Sequence, residues 1–188
     1  MNGRIVLVTG GARSGKSAFA EKYVAARGGK VAYIATAEAL DDEMTARVAL
    51  HRARRPASWH TFEAPRAATG AIALAAGEAD TILFDCLTVY VANILLDPAA
   101  PATPPERHRQ IQSEIAALVA AARASAVTVV FVTNEVGAGI VPENALAREY
   151  RDVAGLANQQ VAAAADEVYL VVSGIPVDIK KLAARIEV

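Results

Sequence analysis

A glycine-rich run near the amino terminus has the residue types and spacing of a phosphate-binding loop. It fits the pattern G-x-x-x-x-G-K-[S/T] with Gly10, Gly11, Ala12, Arg13, Ser14, Gly15, Lys16 and Ser17. Glycines let backbone N–H groups face phosphate oxygens, and a lysine at this position would reach the β- and γ-phosphates. The Ser17 hydroxyl would bind Mg²⁺. The alternative is a glycine-rich turn with an exposed lysine. We interpret the run as a nucleoside triphosphate site.

The segments on either side of the loop favour this interpretation. Residues 5–9 form a short β-branched run that is typical of a buried strand. Residues 18–27 are good helix formers, and Gly28 and Gly29 follow them as a stop signal. A helix that begins at the loop places partial positive charge next to the phosphates. A strand before the glycine loop and a helix after it are the structural context that a phosphate-binding loop requires.

Apolar, β-branched runs alternate with helical segments along the rest of the chain. We predict strands over residues 5–9, 31–35, 81–85, 127–133 and 167–172. We predict further helices over about residues 42–54, 67–76, 87–95, 105–124 and 143–165. The strands do not alternate apolar with polar residues, so both faces of each should be covered. The sequence therefore predicts one three-layer α/β domain over residues 1–188, with a mostly parallel central sheet.

Composition limits the partners and the compartment that we expect. Both signs of charge are scattered along the chain and the net charge is −1, which argues against nucleic acid as a partner. The single cysteine, Cys86, excludes an internal disulfide and suits a reducing compartment. The longest alanine-rich stretch, residues 115–122, is too short to span a membrane, and the first predicted strand leaves no room for a signal peptide. We expect a cytoplasmic protein.

Asp85 ends a predicted buried strand. In phosphate-loop proteins an acid at that position holds Mg²⁺ directly or through water. The alternative is an N-cap for the next predicted helix, since aspartate caps well. We favour the metal role because the phosphate loop precedes it. We interpret the adjacent Cys86 as a small core residue and not as a nucleophile.

A histidine and several arginines occur together near residue 50. On the predicted helix His51 shares a face with Arg47, and Arg52, Arg54 and Arg55 follow it closely. Arginines at a helix carboxyl end complement the helix dipole, but they are also what a second phosphate-binding surface requires. Neighbouring positive charge would favour a neutral imidazole that can attack phosphorus. The pattern alone leaves a structural role for His51 open.

The remaining polar candidates have less specific signals. Asn134 and Glu135 follow a predicted strand, where they could contact the attacking group or metal-bound water, or only form a turn. Glu63 could bind a ribose or a base edge. His60 and His108 are interpreted as surface residues. Residues 177–180 could form an edge strand and residues 181–186 a last helical turn.

Several motifs occur in order along nearly the whole chain. They are residues 9–17; 33–37; 41–44 with Arg47, Val48 and His51; 55–56 with Trp59, Thr61 and Glu63; 85–88 with Asn93; 133–137 with 139–144; 151–155 with Asn158 and Gln159; and 162–168. Together they resemble the bifunctional adenosylcobinamide kinase / adenosylcobinamide-phosphate guanylyltransferase family of cobalamin biosynthesis. Residues 98–105 and 181–188 match no motif of that family, and we expect them to be peripheral.

The resemblance implies a RecA-like P-loop NTPase fold, a homotrimer and two reactions. First, ATP or GTP phosphorylates the aminopropanol hydroxyl of adenosylcobinamide. GTP then transfers GMP to an enzyme histidine, and adenosylcobinamide phosphate takes the GMP to give adenosylcobinamide-GDP. The family's histidine matches His51. The implied nucleotide contacts are the loop residues 10–17 together with Ala35, Thr36, Ala37, Arg52, Ala53, Arg54, Arg55, Glu63 and Asp85.

Two other classes of protein share the phosphate loop. A P-loop kinase of small metabolites would use Lys16 and Asp85 but would give the histidine and arginine segment no role. A RecA-like ATPase switch would use Glu135 to activate water. Neither alternative predicts a covalent nucleotide on the protein.

Overall fold

Seven strands form one sheet within the part of the chain that the computed structural model describes, which is residues 2–38, 49, 52–53 and 55–184. The strands are β1 (Arg4–Thr9), β2 (Val31–Ala35), β3 (His60–Glu63), β4 (Thr81–Asp85), β5 (Thr128–Val132), β6 (Glu167–Val172) and β7 (Ile175–Asp178). Their order across the sheet is β3-β2-β4-β5-β1-β6-β7. All neighbours are parallel except β6 and β7. The prediction of a mostly parallel sheet is confirmed.

Helices cover both faces of this sheet. Those of the described residues are α1 (Lys16–Ala26), α2 (Ala68–Ala76), α3 (Leu87–Leu95), α4 (Pro104–Ala124) and α5 (Ala145–Ala164). Helix α1 packs Ala20 and Val24 into the apolar core on one face, and the other four helices share the core on the opposite face. Every residue of β2 and β5 is therefore buried, which explains their unbroken apolar runs. The three-layer α/β prediction is confirmed.

Most predicted elements lie within two residues of their observed bounds. Strands β2, β4 and β6 and helix α3 have the predicted bounds. Helix α5 was predicted to begin at residue 143, and that was wrong because Asn144 is extended and its side chain accepts the Ala147 N–H at 3.0 Å as an N-cap. The helix predicted over residues 42–54 falls mostly outside the described residues, as do its candidates His51 and Arg54.

The last strand of the described residues forms a hairpin with the strand before it. Strand β7 pairs antiparallel with β6, two residues earlier than the predicted edge strand at 177–180. Ser173 and Gly174 connect the two strands with φ angles of 51° and 81°, the left-handed conformation that tight hairpin turns require. A last helical turn was only one possibility for residues 181–186, and the described residues up to 184 show a turn in which the Leu182 N–H donates to the Ile179 carbonyl.

The carboxyl ends of four central strands meet at one edge of the sheet. The strand registers place Ala35 beside Asp85, and Asp85 beside Val132, while β1 leads directly into the glycine loop. Ligands of open α/β sheets bind at this edge because the loops there are free to diverge. None of the helices in the described ranges combines the length and the apolar character needed to cross a membrane.

Candidate active site

The glycine loop joins β1 to the first residue of α1. Gly15 precedes the helix with a φ of 96°, where an L side chain is strained. A Cβ on Gly10 would lie 2.5 Å from the Val171 carbonyl oxygen, so the loop also passes too close to β6 for any side chain there. The loop is thus a tight turn that requires glycine at these two positions and lies at a helix amino terminus, as the phosphate-binding interpretation requires.

Two side chains of the loop are arranged for an anion. Lys16 is 9% exposed, and its Nζ donates to the Gly11 carbonyl at 3.1 Å, which keeps the ammonium folded over the loop. The Ser14 hydroxyl oxygen is buried, and no group in the described part of the chain hydrogen-bonds it. A buried hydroxyl without a partner is costly unless a ligand completes it. Both observations fit phosphate oxygens in the loop.

A cavity of about 810 Å³ opens above the loop. It brings together most of the predicted nucleotide contacts, namely Ala12, Arg13, Ser14, Gly15, Lys16, Ser17, Ala35, Ala37, Arg55, Glu63 and Asp85. Gly10 and Gly11 do not line it, and Thr36 is fully buried beneath it. The Thr36 hydroxyl donates to the Cys86 carbonyl and accepts the Cys86 N–H, both at 2.8 Å, so its side chain joins β2 to the turn after β4.

Asp85 occupies the carboxyl end of β4, half-buried at the cavity wall. Its Oδ2 accepts the Tyr33 hydroxyl at 2.8 Å. The N-cap of α3 is Cys86 and not Asp85, so the capping alternative does not describe this carboxylate.

Ser17 and Asp85 offer a hydroxyl and a carboxylate oxygen to one cavity. This small set of hard oxygen donors fits Mg²⁺, which is commonly held by one or two protein oxygens plus phosphates and waters. Across the described ranges no three His, Cys, Asp or Glu residues form a fuller metal cage.

Arg55 joins this cavity to a smaller groove of about 350 Å³. The groove is lined by Arg52, Arg55, Pro56, Ala57, Trp59, Thr61 and Glu63. Arg52 forms an ion pair with Glu63 at 2.6 Å. The Arg55 Nε and Nη1 atoms are buried without a hydrogen-bond acceptor from any described residue. Ala53 is exposed and lines neither space.

Comparison of the sequence with known proteins shows the family to which the chain belongs. Residues 6–179 match the model of the family described as cobinamide kinase / cobinamide phosphate guanyltransferase. The bifunctional adenosylcobalamin biosynthesis protein CobU of Salmonella typhimurium is 49% identical over 181 residues, which cover 94% of this chain and 99% of the relative. The chain belongs to this family.

Two further relatives have similar coverage. CobU of Escherichia coli is 48% identical over 181 residues, with 94% of this chain and 99% of the relative aligned. The bifunctional adenosylcobalamin biosynthesis protein CobP of Pseudomonas aeruginosa is 41% identical over 176 residues, with 93% and 96% covered. Since these alignments span almost the full lengths, the resemblance extends to the whole architecture. The recognition of the cobinamide kinase / guanyltransferase family from the motifs is confirmed.

Cys86 lines the cavity but is not suited to act as a nucleophile, and two of the three histidines lie outside both the cavity and the groove. Burial raises the pKa of Cys86 to about 11, and the neighbouring Asp85 charge contributes, so the thiol is neutral near pH 7. His60 is exposed and its Nδ1 lies 2.6 Å from Glu78 Oε2. His108 lies 3.5 Å from Glu149. The surface interpretation is confirmed for His60, whereas His108 is half-buried and its Nε2 is buried.

Helix α5 supports the cavity through Asn158, which lies on a polar side of the helix that the sequence assigned either to a subunit interface or to a substrate wall. Asn158 accepts the Thr133 hydroxyl at 2.6 Å and donates to the Asn134 carbonyl at 3.1 Å. Asn134 in turn donates to the Thr88 hydroxyl at 3.1 Å, and it lines the cavity beside Glu135. The sequence signal was an asparagine beside the core-facing positions of the helix, where a half-buried amide needs partners.

Proposed function

We propose that this chain phosphorylates adenosylcobinamide and then converts the product to adenosylcobinamide-GDP by guanylyl transfer through His51. The observation that carries the proposal is the continuity of the phosphate-loop cavity with the arginine-lined groove through Arg55 and Glu63. A plain kinase needs the first space only. A member of the cobinamide kinase / cobinamide phosphate guanyltransferase family also transfers a guanylyl group, and the groove offers arginines for a second phosphate-binding surface.

In the phosphorylation step the hydroxyl oxygen of the aminopropanol arm attacks the γ-phosphorus of ATP or GTP. The bond from that phosphorus to the β,γ-bridging oxygen breaks, and the nucleoside diphosphate leaves. Lys16 and the loop N–H groups hold the phosphates in line. Ser17 and Asp85 would hold Mg²⁺, which supplies charge neutralisation on the phosphates. Glu135 lines the same cavity with its Oε1 held by the Gly137 N–H at 2.7 Å, and its carboxylate is suited to receive the hydroxyl proton.

In the guanylyl step an imidazole nitrogen of His51 attacks the α-phosphorus of GTP, and pyrophosphate leaves. A phosphate oxygen of adenosylcobinamide phosphate then attacks the same phosphorus, the P–N bond breaks, and His51 is released. His51 itself lies outside the described residues, but its neighbours Arg52 and Arg55 line the groove. Arginine donors stabilise charge that develops on a transferring phosphate, and one such contact can change a rate by about 10³-fold.

We propose further that Arg54, also outside the described residues, and Thr36, Ala53 and Glu63 belong to the nucleotide-binding segment. Glu63 is the carboxylate of the groove and could accept an O–H group of a ribose or an N–H group of a base edge, but only after its ion pair with Arg52 opens. We also propose a cytoplasmic homotrimer. The side chains of Ile140 and Val141 are 97% and 58% exposed, and a subunit interface would cover such apolar surface.

Product analysis tests the proposed function directly. The protein is incubated with adenosylcobinamide, Mg²⁺ and either ATP alone or ATP with GTP, and the corrinoids are separated by chromatography. We expect adenosylcobinamide phosphate with ATP alone and adenosylcobinamide-GDP when GTP is added. Adenosylcobinamide phosphate as the final product under both conditions would favour a simple kinase, and nucleotide hydrolysis without a corrinoid product would favour an ATPase. Light scattering of the same sample tests the trimer.

A further inference from the structure

The Tyr33 side chain contacts two residues of the site that carry opposite charges. Its hydroxyl donates to Asp85 Oδ2 at 2.8 Å, and the guanidinium carbon of Arg55 lies 3.4 Å from the centre of its ring. Tyr33 itself is 2% exposed and belongs to the apolar core on the face that α1 covers, so packing holds its ring in place. We propose that Tyr33 is a positioning residue that holds the Asp85 carboxylate with its hydroxyl and the Arg55 guanidinium with its ring.

The strand register explains why a tyrosine can reach Asp85. Tyr33 of β2 is paired with Leu83 of β4, and Asp85 is two residues further along β4. Residues two apart on a strand point to the same face of the sheet, so Tyr33 and Asp85 are diagonal neighbours on the face that α1 covers. That diagonal separation is within reach of a long aromatic side chain. An apolar residue at this position would fill the core but could not reach the carboxylate with a donor.

A neutral donor suits a carboxylate that must keep its charge. A phenol is an uncharged hydrogen-bond donor near pH 7. The hydroxyl therefore orients the carboxylate without neutralising it, whereas a lysine or arginine there would compete with a metal cation. Asp85 and Ser17 line the same cavity.

The Tyr33 ring positions the Arg55 guanidinium. A guanidinium above an aromatic face is attracted by the electron-rich ring and keeps its planar N–H groups available at its edge. Two of those nitrogens in Arg55 have no acceptor from any residue that the structure describes. Since Arg55 lines both the cavity and the groove, its stacked position holds the guanidinium at the junction of the two, where a phosphate oxygen could supply the acceptor that its two buried nitrogens lack. This part of the proposal deepens the proposed function and relies on its phosphate-binding site.

Three variants separate the two contacts. Tyr33→Phe removes the hydroxyl and keeps the ring, Tyr33→Leu removes both, and Arg55→Ala removes only the stacked guanidinium. Tyr90→Phe is the matched control, because Tyr90 is also fully buried and donates its hydroxyl, at 3.1 Å, to the Arg66 carbonyl outside both spaces. Urea unfolding of all four variants measures the general cost of each change.

Two binding constants are measured on the full chain, without turnover. The first is Mn²⁺ binding in the presence of the non-hydrolysable analogue β,γ-imido-GTP, followed by the electron paramagnetic resonance signal of free Mn²⁺. The second is binding of the same analogue in EDTA, followed by calorimetry. We expect Tyr33→Phe to raise the Mn²⁺ dissociation constant about tenfold, because Asp85 loses a charge-assisted hydrogen bond, with a smaller effect in EDTA. Arg55→Ala should weaken binding in EDTA about fivefold, and Tyr33→Leu should show both changes.

The proposal would be overturned if Tyr33→Phe raised both dissociation constants by the same factor, because the loss of a merely structural hydroxyl would act on both alike. The proposal would also be overturned if both Tyr33 variants matched Tyr90→Phe. Failure of the wild-type protein to form adenosylcobinamide-GDP would instead contradict the proposed function, and the two binding constants would still decide the role of Tyr33.

Discussion

The backbone N–H of Gly174 donates to the carbonyl oxygen of Ser14 at 2.8 Å. The first residue is in the turn between β6 and β7, and the second is in the glycine loop. The β6–β7 turn thus stabilises the glycine loop, although it is not part of the β1–loop–α1 unit that contains the loop. Because an anion site depends on fixed N–H directions, this support would be part of the proposed phosphate-binding geometry.

Two glycines at this contact should respond differently to alanine. Both have positive φ angles, 96° at Gly15 and 81° at Gly174, so alanine strains the backbone by about 1–2 kcal/mol at each. A Cβ on Gly15 would also lie 3.1 Å from the Gly174 Cα, whereas a Cβ on Gly174 meets nothing within 4 Å. We expect Gly15→Ala to weaken GTP binding more than tenfold and Gly174→Ala to weaken it about threefold or less. Calorimetric titration with GTP measures both, and equal losses would contradict the role of the close contact.

Lys16 and Lys22 provide a matched pair on one helix. Lys16 is buried at the start of α1 beside the loop, and Lys22 is exposed on the same helix. Lys16→Ala should lower the rate of adenosylcobinamide phosphorylation by about 10²–10³-fold, because a fixed cation at the transferring phosphate is lost. Lys22→Ala should keep the wild-type rate. A discontinuous assay of phosphorylated corrinoid measures both rates. Comparable rates in the two variants would remove Lys16 from the mechanism.

The ion pair between α4 and α5 should make stability depend on acid pH. The hydrogen bonds from Arg107, at 2.7 and 2.9 Å, lower the pKa of Glu149 from its ordinary value of 4.5. A carboxyl whose folded pKa is lowered contributes stability that is fully present above its unfolded pKa, and this contribution is lost as pH falls through the folded pKa. We expect Glu149→Gln to flatten the fall in unfolding free energy below about pH 4.5. Urea unfolding at several pH values measures this slope, and a slope equal to that of the wild-type protein would contradict the assignment.

The sequence predicted the elements whose signals are local. The glycine loop, β2, β4 and α3 have strong propensities and clear stops, and Asp85 is recognisable from its place at the end of a buried run. The contacts that complete the site are not local. Tyr33 on β2 contacts Asp85 on the neighbouring strand β4. Gly174 supports the glycine loop through Ser14, which is 160 residues earlier in the chain. Asn158 on α5 binds the segment that follows β5. Such contacts depend on strand order and register, which periodicity does not encode.

The central claim is that His51 carries GMP during catalysis. The most direct measurement is incubation with Mg²⁺ and GTP labelled at the α-phosphate, followed by denaturing electrophoresis and by acid and base treatment of the labelled band. His60→Ala is the control, because His60 is exposed, pairs with Glu78 and lines neither the cavity nor the groove. We predict an acid-labile, base-stable label in the wild-type protein and in His60→Ala that is absent from His51→Ala, while His51→Ala still phosphorylates adenosylcobinamide. A label that persists in His51→Ala, or no label in a wild-type protein that turns over GTP, would contradict the account.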